Sequence, residues 1–73
     1  MTDPRTIEAF ELVREMRPML KGHDPAAQGA ALAQLLAYFI AGHDEQIRVT
    51  IMLEHMKSVW RMVEGILKDR EGH

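Results

Sequence analysis

The sequence predicts an all-α protein with three helices in an up-down-up arrangement. The tripeptide Gly-His-Asp occurs at residues 22–24 and again at 42–44, and each copy is typical of one helix ending and another beginning. The segments on either side carry apolar residues at helical spacing, and no segment alternates as a β-strand does. At 73 residues the chain suits one domain, so we expect a single helical domain over 1–73.

Composition excludes several classes of protein. The chain has no cysteine, which removes disulfides, thiol nucleophiles and cysteine-ligated zinc. A net charge of −2 argues against a general nucleic-acid binder, and an apolar content of 47% argues against disorder. The amino end lacks the pattern of a signal peptide, and the uncharged stretch 25–42 is too rich in alanine and glycine to insert strongly into a membrane. We therefore expect a cytoplasmic protein without a membrane span.

The first helix is predicted at about residues 4–21. Asp3 followed by Pro4 is a favoured N-cap and first helical residue. Pro18 is expected to kink or briefly break this helix near Arg17, and the sequence leaves open whether it kinks the helix or ends it.

The second helix is predicted at about 25–41 and is expected to pack on at least two sides. Gly22 should end the first helix in the left-handed conformation and Asp24 should cap the second, while Gly42 and Asp44 should do the same at the next boundary. A ridge of alanines on this helix favours the close approach of another helix. The large apolar residues form a separate arc: Leu32, Leu35, Leu36, Phe39 and Ile40.

The third helix is predicted at about 45–70 and is the longest. Its apolar residues sweep roughly 200°, about twice the stripe usual for a surface helix. If helices 2 and 3 are antiparallel neighbours, the third overhangs the second by roughly two turns that are still apolar. This excess predicts a partner chain, most simply a two-fold homodimer that completes a helical bundle. The alternative is that helix 1 leans across and covers these residues. The predicted interface or core residues are Met52, Met56, Val59, Trp60, Met62, Val63, Ile66 and Leu67.

The histidines do not have the spacing of a helical metal site within one chain. His23 and His43 lie at opposite ends of helix 2, and no His-x-x-x-His or Glu-x-x-His pair occurs. His43 can donate to the last carbonyls of helix 2. His55 lies at the edge of the apolar arc, where its charge can make an interface sensitive to pH. Metal binding or enzymatic chemistry by histidines across a dimer interface stays open as an alternative.

The sequence offers little for nucleophilic catalysis. Ser58 is the only serine, and no phosphate-binding loop is present. We therefore predict no enzyme, no catalytic or metal-binding residue and no cofactor. Lys57, Arg61 and Lys68 follow one face of helix 3, but acidic residues lie between them, so a weak nucleic-acid-binding regulator is only a second alternative.

The stretch from Gly22-His23-Asp24-Pro25 to Gly42-His43 resembles a segment of short, uncharacterised all-α proteins of bacteria. The resemblance covers the middle third of the chain. It implies a small helical family of unassigned function, and it transfers no site residues. The sequence as a whole favours a non-catalytic, homodimeric interaction or regulatory module, which also leaves room for a further protein partner.

Overall fold

Helices make up nearly all of the computed structural model, which describes residues 3–72. Helical residues account for 87% of the described residues, and no strand occurs among them, so the predicted all-α class with three helices is confirmed. The elements in chain order are α1 (Pro4–Leu20), α2 (Pro25–Ala41), a short 3-10 helix (Glu45–Ile47) and α3 (Arg48–Glu71). The up-down-up arrangement and the completion by a second chain stay predictions.

The chain divides into two compact units, one up to Ala33 and one from Gln34 onward. The division falls within α2. The first unit therefore contains α1, the turn after it and the first half of α2. The second contains the end of α2, the 3-10 helix and α3.

Helix α1 begins at a charged N-cap. The Asp3 carboxylate accepts a hydrogen bond of 2.8 Å from the backbone N–H of Arg5 and pairs with the Arg5 guanidinium at 3.1 Å. The side-chain bond from Arg5, followed by the backbone bond, holds the pKa of Asp3 below its ordinary value. Because that pKa is lowered by folding, this contribution is present at neutral pH and is lost as the pH falls through the lowered value.

Helix α1 continues through Pro18. The helical segment runs without interruption to Leu20, so the predicted break near Arg17 does not occur. Pro18 is the third residue from the carboxyl end of the helix, which is Leu20. Because proline has no backbone N–H, the helix lacks one backbone hydrogen bond near its carboxyl end. Helices already fray there, so the loss is tolerated.

The turn between α1 and α2 reverses direction at a left-handed glycine. Gly22 has φ +85°, and the Asp24 carboxylate accepts a bond of 2.7 Å from the N–H of Ala26. The side-chain amide of Gln28 reaches back and donates to the carbonyls of Leu20, at 2.6 Å, and His23, at 3.0 Å. Gln28 therefore satisfies two backbone carbonyl groups, one at the end of α1 and one in the turn, that would otherwise bond only to water.

The second turn has a different backbone although its sequence is the same tripeptide. Gly42 does not adopt positive φ, contrary to the sequence-based expectation, and its N–H bonds to Tyr38 as a continuation of α2. Asp44 precedes the 3-10 helix and its side chain makes no capping bond. Helix α3 therefore begins at Arg48. The predicted start at residue 45 falls in the 3-10 helix. A tight first turn is a common way to start a helix whose first N–H groups lack a side-chain cap.

The two glycines should respond in opposite ways to alanine. Gly22→Ala is expected to lower the free energy of unfolding by about 1 kcal/mol, because a Cβ disfavours positive φ. Gly42→Ala is the matched control. Its added Cβ would meet only ordinary contacts, at 3.5 Å from the carbonyl oxygen of Phe39 and 3.7 Å from that of Tyr38. It should leave stability unchanged or raise it by roughly 0.5 kcal/mol. Urea unfolding followed by circular dichroism measures both, and equal losses would contradict the assignment.

Candidate interaction surface

The most extensive functional candidate is an exposed apolar face on α3. Six apolar residues follow one line along this helix and are defined here as the α3 seam: Val49, Met52, Met56, Val59, Val63 and Ile66. Val63 is half-buried, and the other five are between 42% and 63% exposed. Leu53, Trp60 and Leu67 flank the seam on one side and are also exposed. None of these residues is fully buried in the described structure.

The opposite face of α3 is polar. At about 100° per residue, Glu54, Lys57, Arg61, Glu64 and Lys68 project roughly opposite the seam. Lys57 pairs with Glu54 at 3.5 Å, and both side chains are well exposed. Such a pair contributes little to stability. The pair does offset the positive charge of Lys57, which is one of the three basic residues that binding to a nucleic acid would require.

Aromatic contacts connect the end of α2 to the first turns of α3 in the second unit. The ring of Phe39 lies edge-on to the ring of His43 at 4.7 Å and to that of His55 at 5.1 Å. Each histidine Nδ1 also lies at hydrogen-bonding distance from the carbonyl oxygen four residues earlier. These are Phe39 for His43, at 2.8 Å, and Ile51 for His55, at 3.0 Å. Both histidines are therefore engaged locally on their Nδ1 side.

Arg48 completes this junction. Its guanidinium donates to the carbonyl of His43 at 2.8 Å and to that of Ala41 at 3.3 Å. These carbonyls lie at and just after the carboxyl end of α2, where a cation is favoured by the helix dipole. Arg48 has no part in the sequence-based predictions, and Phe39 enters them only as a member of the apolar arc of helix 2. The spacing of four residues between Phe39 and His43 is the one signal that points to part of this cluster.

The contact between His55 and Phe39 makes His55 half-buried, and Ile51 and Ser58 on the same stripe of α3 are half-buried too. That stripe lies beside the seam. The junction therefore occupies one edge of the apolar arc of α3 and leaves the seam itself uncovered. Met62, Ile66 and Leu67, which lie in the predicted overhang, are about half exposed or more.

Within residues 3–72, no three histidine or acidic side chains come close enough together to hold a metal ion. In the same part of the chain, no helix combines the length and the hydropathy that crossing a bilayer requires.

The described structure is thus all-α, and its helix α3 carries an exposed apolar face. Comparison of the chain with protein-family models, with curated protein sequences and with solved structures found no match.

Proposed function

We propose that this protein is a small, non-catalytic, cytoplasmic module that acts as a homodimer and completes its helical bundle by joining two copies through α3. The single observation that carries the proposal is the exposed α3 seam with its flanking Trp60 and Leu67. Contiguous apolar surface of this kind marks a contact site for another protein. The predicted interface residues are those of the seam from Met52 onward together with Trp60, Met62 and Leu67.

The energetics support a dimer of this kind. Full burial of a valine, isoleucine or methionine side chain is worth about 1.5–3 kcal/mol, so covering the exposed half of each gives about 1 kcal/mol. Two copies bring twelve seam side chains together, which supplies roughly 12 kcal/mol. This is comparable with the estimated cost of about 4–15 kcal/mol for bringing two molecules together. Trp60, which is 64% exposed, and its flanking neighbours then supply the surplus.

The dimer predicts a definite mass and a concentration dependence. Sedimentation equilibrium at micromolar concentration should give twice the chain mass of 8.4 kDa. Because unfolding then separates two chains, a tenfold rise in concentration should add about 1.4 kcal/mol to the apparent stability and raise the melting temperature. A species of 8.4 kDa that melts at the same temperature at every concentration would refute the proposal.

A further inference from the structure

We propose that the two α3 helices of this dimer pair antiparallel, about a two-fold axis level with the midpoint between Lys57 and Ser58. The inference rests on the proposed homodimer and specifies its geometry. It starts from the spacing of the α3 seam, whose six residues follow one another at intervals of three, four, three, four and three. This is the spacing by which two α-helices pack side chains into each other's gaps. All six positions are helical, so the seam is continuous along α3.

The spacing reads the same in both directions along the helix. An antiparallel copy therefore aligns every seam residue with a seam residue of its partner. The three pairs, each formed twice, are Val49 with Ile66, Met52 with Val63, and Met56 with Val59. The seam can also align in parallel, each residue facing its own counterpart, so the residues beyond its ends decide between the two orientations.

Charge decides in favour of the antiparallel pair. The next seam position after Ile66, four residues on, is Arg70. A parallel dimer would place the two Arg70 side chains opposite each other. The antiparallel dimer instead brings Arg70 level with Glu45 of the partner subunit, and the two-fold axis repeats this pair at the other end of the seam. Opposite charges at both ends of a contact fix its direction and register, and like charges facing each other oppose it.

The bulky flank of the seam agrees with this register. Leu53 and Trp60 both lie on the same side of the seam and are 51% and 64% exposed. The antiparallel pair places Leu53 at nearly the level of the partner subunit's Trp60, so the large indole meets a smaller aliphatic side chain twice. The polar face, including the Lys57–Glu54 pair, stays in water in this arrangement.

Cysteine cross-linking tests the orientation directly because the chain has no cysteine of its own. The variants Val49→Cys and Ile66→Cys are purified separately, checked for helicity, and oxidised in a glutathione buffer, alone and as a mixture. In the antiparallel dimer each cysteine is about 25 Å from its own counterpart, at 1.5 Å of rise per residue. A disulfide needs the two Cα atoms within about 7 Å. The mixture should therefore form disulfide-linked dimers at least tenfold faster than either variant alone.

A mixture of Glu54→Cys and Arg61→Cys is the matched control. These two positions are level with each other in the same register but lie on the polar face, so they should not cross-link. Rapid cross-linking of Val49→Cys or Ile66→Cys alone shows a parallel pair and overturns the inference. Failure to cross-link in a protein that sediments as a dimer also overturns it, because α3 then does not form the contact. Failure in a protein that sediments as a monomer overturns the homodimer itself.

Discussion

Ile66→Asp is expected to separate the dimer into single chains. Ile66 is 53% exposed on one chain and lies at the end of the α3 seam, where a second copy would cover it. Burying an unpaired carboxylate there costs about 2–3 kcal/mol at least, and the two-fold axis makes the contact occur twice. The dissociation constant should therefore rise at least ~1000-fold. Sedimentation equilibrium across a range of concentrations measures the change.

Gly65→Asp is the control for this substitution. It adds the same charge at the neighbouring position, and a Cβ built on Gly65 meets nothing within 4 Å. Residue 65 projects away from the seam, so the control should keep the mass of the dimer. Equal dissociation of both variants would show that an added negative charge near the end of α3 is responsible, and would argue against the seam as the contact.

Trp60 provides an independent reading of the same experiment because it is the only tryptophan. On the single chain it is 64% exposed, so a dissociated Ile66→Asp variant should show red-shifted emission and ready quenching by iodide. The unaltered protein at micromolar concentration should be blue-shifted and protected. Sedimentation and tryptophan fluorescence should therefore change together, because loss of the dimer is what exposes the indole.

Local chemistry explains which parts of the fold are predictable from sequence. The bounds of α1 and α2 agree with the prediction to within one residue. The reason is that Asp3 and Asp24 each form a capping bond between near neighbours in the chain. Gly22 is predictable for the same reason, since a left-handed turn after a helix is a preference of glycine itself.

The second Gly-His-Asp shows where this reasoning fails. Gly42 and Asp44 have the same local sequence, yet Gly42 continues α2 and Asp44 makes no capping bond. At this turn Arg48 reaches back to the carbonyls of Ala41 and His43 and satisfies the end of α2. A bond across five to seven residues, made by a long side chain, is not encoded in the tripeptide. Satisfaction of helix ends by remote groups therefore limits prediction from local motifs.

The sequence predicted that α3 carries more apolar residues than a surface helix needs. It did not predict which of them form one continuous line along the helix. A count of apolar residues around the helix gives a broad arc in which Met62 and Leu67 weigh as much as Val59. The structure narrows this arc, because the His55 stripe is engaged at the junction with α2 while the seam is left exposed. Once the His55 stripe is set apart from the seam, the six seam residues show a spacing that is the same in both directions along the helix.

Phe39→Ala is expected to destabilise the second unit by about 2 kcal/mol. A fully buried phenylalanine costs about 3–5 kcal/mol when it is cut to alanine, and Phe39 is 49% exposed, so roughly half of that applies. Its ring contacts both His43 and His55, and these edge-on contacts add to the loss. Tyr38→Ala removes an aromatic ring at the adjacent position, which is 77% exposed, and should cost no more than roughly 0.5 kcal/mol.

Urea unfolding of both variants at one fixed protein concentration separates this effect from dimerisation. Phe39 lies outside the α3 seam, so Phe39→Ala should lower the unfolding midpoint while sedimentation still shows the mass of the dimer. Ile66→Asp should do the reverse and change the mass first. If Phe39→Ala and Tyr38→Ala lose the same stability, the aromatic junction does not hold α2 against α3. The first turns of α3 would then depend on Arg48 and its two carbonyl bonds alone.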